Sequence, residues 1–159
     1  MGSIISERYE IGDRVGAGST GDVYAALDLR LRRSVAIKIA REPVLDEDLR
    51  RRFTNEARRV AKLQHPNIAT VLDAGDFEDR PFIVFEYIHG RTVRELLVNQ
   101  STVPLVTKLE YMQQLCAALL YVHRQDPPVV HLDIKPENLM VEWRDHFGCS
   151  TTCHKGGQR

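Results

Sequence analysis

At 159 residues and 43% hydrophobic content, the chain has the size and apolar fraction of one ordinary globular domain. Lysine plus arginine and aspartate plus glutamate both total 22, so no global field argues for nucleic acid or for an acidic surface. No apolar run is long enough to span a bilayer, the N-terminus lacks a secretory pattern, and Cys116, Cys149 and Cys153 make no disulfide framework.

These features predict a reducing, cytoplasmic setting with no membrane contact from this segment. Cys116 falls in an apolar helical pattern and is expected to be a small buried hydrophobe. Cys149, Cys153 and His154 are too few for a four-ligand metal site.

Residues 1–8 read as an N-terminal extension. Tyr9 to Val15 is predicted as a strand, followed by the glycine turn Gly16-Ala17-Gly18-Ser19-Thr20-Gly21. Asp22 to Leu29 and Ser34 to Ala40 follow as two more strands, the latter with the alternation of a sheet. Asp46 to Leu63 carries Leu49, Phe53, Ala57, Val60 and Ala61 at helical spacing and stops at His65-Pro66-Asn67. Its arginines, Arg50 to Arg52 with Arg58 and Arg59, read as a solvated helix face, the alternative being a docking surface for acidic partners. Ile68 to Phe77 and Phe82 to Tyr87 read as two strands around a turn at Glu78-Asp79-Arg80-Pro81. The expectation is a five-stranded antiparallel sheet with one long helix.

After Gly90 the period changes. Val93 to Val98 suggests a short helix, and Leu109, Met112, Leu115, Cys116, Leu119, Val122 and His123 form an apolar helical stripe expected to be core. Gln125-Asp126-Pro127-Pro128 breaks that helix. Residues 141–159 show little periodicity and read as an atypical tail, the product of truncation or of a shifted reading frame.

Four motifs appear in order along this framework: the glycine turn, then Val35-Ala36-Ile37-Lys38, then Glu56 in the helical stretch, then His131-Leu132-Asp133-Ile134-Lys135-Pro136-Glu137-Asn138. On these motifs the chain resembles the N-terminal part of the catalytic domain of bacterial-type serine/threonine protein kinases. The resemblance implies an α+β, protein-kinase-like fold, with a complete small lobe over 9–88 and the start of a helical large lobe over 89–140.

It implies ATP and magnesium as cofactors and a protein substrate bearing serine or threonine, with no nucleic-acid partner. In that reading Gly16, Gly18 and Gly21 bring backbone close to the phosphates, and absent Cβ atoms and access to positive φ are the reason for glycine there. Lys38 meets the α- and β-phosphates and pairs with Glu56. Val15, Val23, Ala36 and Met140 enclose the adenine, and backbone groups of Glu86 and Ile88 orient it beside Phe85. Asp133 orients the substrate hydroxyl, Lys135 steadies the γ-phosphate, and Asn138 holds the metal.

Two departures stand out. Leu132 replaces the arginine that usually precedes the catalytic aspartate and receives a phosphorylated activation loop. The family's Asp-Phe-Gly metal motif has no clear counterpart; Asp145-His146-Phe147-Gly148 carries an inserted residue and lies only seven positions after Asn138. The alternative function is therefore a nucleotide-binding or interaction module that transfers nothing.

Overall fold

The computed structural model describes residues 3–18, 21–46, 50–51, 55, 57–58, 60–99, 102–129, 134–143 and 150–153, the last four by their backbone. The chain forms two compact units, residues 1–62 with 70–87 and residues 63–69 with 88–159.

The first unit is built on a six-stranded antiparallel sheet. Its strands are β1 (Ile4–Ile5), β2 (Tyr9–Ala17), β3 (Gly21–Asp28), β4 (Arg33–Ala40), β5 (Val71–Phe77) and β6 (Arg80–Glu86), in spatial order β1-β2-β3-β4-β6-β5. Alternation along β4 sends Val35, Ile37 and Ile39 to one face, where they pack with Ile5, Tyr9, Ala26, Phe82 and Val84. The described residues between 50 and 61 are helical. Arg50 is not an idle member of a solvated face: its guanidinium donates to the Val44 carbonyl at 2.7 Å and pairs with Asp79 at 3.1 Å.

The sheet has one strand more than the five expected. Ile4–Ile5, within the presumed extension, pairs antiparallel with Glu10 and Tyr9, and Ile5 is fully buried. Two residues are too short to show a strand period in sequence. Pairing with β2 and burial of Ile5 in the core hold them, and a charge cluster lies just downstream.

Arg8 donates from Nε and NH2 to the two carboxylate oxygens of buried Asp28 at 3.1 and 2.7 Å, and from NH1 to Asp73 at 3.0 Å. Asp73 also accepts the Tyr9 hydroxyl at 2.7 Å. Asp28 further accepts the backbone N–H groups of Arg30 and Leu31, fixing the turn into β4. One forked cation, in the turn before β2, thus joins β3 and β5, a bidentate geometry that only arginine supplies.

The second unit holds a three-stranded sheet, β7 (Gly90–Thr92), β8 (Leu139–Glu142) and β9 (Ser150–Cys153), in that spatial order. With it are helices α1 (Val93–Val98) and α2 (Leu105–His123) and a 3-10 turn over Pro136–Asn138. Helix α1 starts with a capping box: Thr92 Oγ1 accepts from Glu95 N–H at 3.1 Å while Glu95 accepts from Thr92 N–H at 2.7 Å. Strand β9 lies inside the stretch read as an atypical tail and pairs with β8 from Leu139↔Cys153 to Glu142↔Ser150.

Strand β5 begins at Val71 rather than Ile68. Ile68 is buried with Leu63, Ala118 and Val122 in the core of the second unit, and Asn67 donates to Gln114 at 2.9 Å. His65 stacks on Tyr121 with ring centroids 5.2 Å apart and accepts the Asn67 N–H. The His-Pro-Asn segment is thus fastened to α2.

The stripe on α2 is only partly core. Leu115, Ala118 and Val122 are buried, whereas Leu109, Met112, Cys116 and His123 are exposed. Cys116 is therefore not the buried hydrophobe expected. Leu63 and Ile68 pack on Ala118 and Val122, with Tyr121 and Val129 against them, a contact that does not include Cys116. Among the described residues, no helix is long and apolar enough to cross a membrane.

The Arg8–Asp28 pair carries a stability prediction. Hydrogen bonding and charge from Arg8, aided by the two backbone N–H groups, hold the buried Asp28 carboxyl at about 2 against an ordinary 3.8. The native state therefore binds fewer protons than the unfolded chain through that window. The contribution, about 2 kcal/mol, is complete above roughly pH 5 and is lost as pH falls through 4 toward 2. Urea unfolding of Asp28→Asn at pH 7 should show a loss of about 2–3 kcal/mol, with a flatter stability profile below pH 4 than wild type.

Candidate functional site

Cross-strand register decides which residues of the first unit share a face. Val23 lies directly opposite Lys38, and Lys38 opposite Ile83; Ala25 lies opposite Ala36, and Ala36 opposite Phe85. Directly opposed residues in an antiparallel sheet project to the same side. Val23, Ala25, Ala36, Lys38, Ile83 and Phe85 therefore line one face, and the packed residues Tyr24, Ile37 and Val84 line the other. The lysine emerges from an apolar floor. Ala36 and Phe85 are buried and Val23 is half-buried.

Gly16 pairs with Val23 at the edge of the same face. Between Arg14↔Tyr24 and Gly16↔Val23 the register slips by one residue, so Val15 sits in a β-bulge and is 54% exposed. Bulges re-aim side chains at such positions. Alternation read from sequence does not reveal a bulge.

The glycines act by close approach. Among the described residues no glycine has positive φ, so the conformational half of the sequence argument does not apply. A Cβ on Gly21 would run into the Ile39 carbonyl oxygen, and one on Gly18 would lie 3.3 Å from the Gly21 oxygen. Gly18 N–H donates to that oxygen at 2.9 Å, closing the turn. A Cβ on Gly16 would make only an ordinary 3.5 Å contact with Val23.

At the end of β6, Glu86 N–H donates to the Thr70 carbonyl at 3.0 Å, and its carboxylate accepts Thr70 N–H. Two arginines flank the turn: Arg41 NH2 donates to the Gly18 carbonyl at 3.1 Å and to Asp22 Oδ1 at 2.9 Å, and Arg14 stands 3.7 Å from Asp22 Oδ2. Neither Arg41 nor Asp22 belongs to the sequence-predicted set. Their only signal there is opposite charge, which is common on strands.

In the second unit, Lys135 and Asn138 stand at the two ends of a single 3-10 turn. Pro136 obliges Lys135 to be extended (φ −152°, ψ 159°), and Asn138 N–H donates to the Lys135 carbonyl at 2.9 Å. The Lys-Pro-Glu-Asn string thus encodes its own geometry. Met140 follows on β8, opposite Thr92, and Ile88 is buried just before β7. Glu56 and Asp133 lie outside the described residues.

Comparison with known proteins agrees with these features. A family model, protein kinase domain, matches residues 9–156. The chain is 38% identical over 149 residues to serine/threonine-protein kinase PrkC of Bacillus subtilis, covering 93% of this chain and 22% of that protein. It is 37% identical over 142 residues to serine/threonine-protein kinase PknB of Mycobacterium leprae, covering 86% and 22%. The fold matches a crystal structure of the Mycobacterium tuberculosis PknI kinase domain, a double mutant, with a TM-score of 0.78 at 24% identity; the match covers 98% of this chain and 62% of that one.

The chain belongs to the protein kinase domain family. Its fold is kinase-like, comprising the small lobe and the beginning of the large lobe, and it spans about a fifth of the length of those curated relatives.

The glycine geometry separates two substitutions that look alike in sequence. Gly21→Ala should lower stability by about 1–3 kcal/mol, because backbone must move to admit the methyl group. Gly16→Ala should cost well under half as much. Chemical denaturation of the two variants, side by side, checks the ordering.

Proposed function

We propose that this chain is the nucleotide-binding part of a serine/threonine protein kinase, which transfers the γ-phosphate of Mg-ATP to protein serine or threonine hydroxyls. The observation that carries the reading is the shared face of Val23, Ala36, Lys38 and Phe85 beside a glycine turn that tolerates no side chain at Gly21. An apolar floor with one projecting cation suits a flat base joined to a polyphosphate. The kinase names of PrkC and PknB support the same class.

Each residue then has a physical task. Val15, Val23, Ala36 and Met140 supply apolar walls for adenine, and backbone groups of Glu86 and Ile88 orient it. Lys38, set by Glu56, neutralises the α- and β-phosphates. Asp133 orients the acceptor hydroxyl and takes its proton, while Lys135 balances charge on the transferring group.

Magnesium would supply charge neutralisation at the phosphates, and it takes hard oxygen ligands, usually including a carboxylate; Asn138 would be the protein ligand offered here. Here the fit is partial. Asn138 offers one amide oxygen, the described residues contain no cluster of three or more acidic, histidine or cysteine side chains, and no Asp-Phe-Gly occurs in the 159 residues.

That gap favours a second reading, a module that binds nucleotide without transferring phosphate. The residues directly after β9 are His154-Lys155-Gly156, still within the family match, and they carry no carboxylate.

One pair of measurements on the 159-residue chain tests both readings. Lys38→Met should weaken binding of a non-hydrolysable ATP analogue about tenfold or more, because a charge-assisted contact is lost. Equal affinity by calorimetry would remove Lys38 from the phosphate site. Transfer of labelled phosphate to a serine/threonine peptide, abolished in Asp133→Asn, would establish the kinase reading. Tight nucleotide binding with no transfer would establish the second.

A further inference from the structure

We propose that Arg41 is a positioning residue that latches the glycine turn, acting on the phosphate end of the nucleotide and not on its base. The inference deepens the nucleotide-binding reading and rests on it.

Three strands converge on one carboxylate. Asp22, at the start of β3, lies between Arg14 of β2 and Arg41, the residue after β4. The same NH2 of Arg41 that meets Asp22 at 2.9 Å donates to the Gly18 carbonyl at 3.1 Å. The guanidinium therefore joins the turn to the end of the neighbouring strand. Gly18 is also held from its amide side by the Gly21 carbonyl at 2.9 Å. Both faces of its peptide environment are thus committed before any ligand arrives.

Two physical consequences follow. First, a glycine-rich turn has more backbone freedom to lose than other sequences, and ordering it on binding costs affinity. A latch spends that entropy during folding instead. Second, a carbonyl oxygen turned toward a phosphate repels it. Pairing the Gly18 oxygen with a guanidinium holds it away from an incoming anion and compensates its partial charge.

The charges also do not cancel: two arginines surround one aspartate, leaving a net positive charge at the base of the turn. Asp22 stays ionised readily, since the Arg41 hydrogen bond holds its carboxyl below the usual carboxylate range. Arg41 is about half exposed, with 50% of its side-chain surface open to solvent. The effect is therefore of the size of a surface ion pair, and salt should weaken it.

The test uses the 159-residue chain and its Arg41→Gln variant, with matched thermal unfolding to confirm that both fold. Calorimetry of a non-hydrolysable ATP analogue should show about two- to five-fold weaker binding to the variant, while adenosine binds both equally. The difference should shrink at 0.5 M salt. In the absence of nucleotide, hydrogen exchange of the peptide covering residues 16–22 should be faster in the variant.

Equal losses for adenosine and the ATP analogue would overturn the latch, since it makes no contact that could weaken base binding. Unchanged exchange over 16–22 would overturn it whatever the nucleotide does. Failure of the wild type to bind either ligand would instead overturn the nucleotide-binding reading, and the proposal with it.

Discussion

The first unit depends on strict alternation along β4. Val35, Ile37 and Ile39 are buried on one side, and Ala36 and Lys38 necessarily emerge on the other. A slip of one residue would send the lysine into the hydrocarbon core and the isoleucines out to solvent, an exchange of several kcal/mol in the wrong direction. The hydrophobic core and the candidate phosphate contact are therefore specified by the same eight residues. Because β4 is central, with β3 on one side and β6 on the other, its register propagates to Val23 and Phe85.

Around that strand, polar groups do what apolar burial cannot. Hydrophobic contacts hold Ile5 and Tyr9 to the sheet, but they are not directional. The forked contacts of Arg8 to Asp28 and Asp73 fix where β1 and β2 meet the turn after β3. Tyr9 joins this cluster through its hydroxyl, and burial together with the Asp73 hydrogen bond pushes its phenol above the ordinary range. At the far end of β3, the Arg14–Asp22–Arg41 row performs a looser version of the same task in solvent. The buried cluster fixes the frame, and the exposed one trims the turn.

The second unit shows the opposite balance. Its 3-10 turn from Pro136 to Asn138 and its capped α1 are local designs, held by contacts within a few residues. Helix α2 packs on Leu63 and Ile68 through Ala118 and Val122 and also meets β9, while Leu105, Val106, Leu109 and Met112 are exposed. A helix with so much uncovered apolar surface gains less from folding than its length suggests.

Much of this was legible in the sequence, wherever structure is set by local periodicity or by the chemistry of consecutive residues. The alternation of 34–40 located β4 and Lys38; the 3-10 turn over Pro136–Asn138 was not read, although proline restricts the residue before it. The order of the glycine turn, strand lysine and catalytic loop led to the kinase family, and the family match agrees.

What the sequence left open shares one feature: it depends on residues far apart in the chain. The Val15 bulge exists only as a mismatch between two strands, β1 is held by burial of Ile5 in the sheet core, and Arg8 meets Asp28 and Asp73, 20 and 65 residues away. Arg41 reaches Gly18 across 23 residues, and Cys116 is exposed because the helix packs on Leu63 and Ile68 through Ala118 and Val122. Periodicity and motif chemistry report what a residue can do. Tertiary packing decided which partner it meets, because distance in space is set by register and crossing strands and not by spacing along the chain.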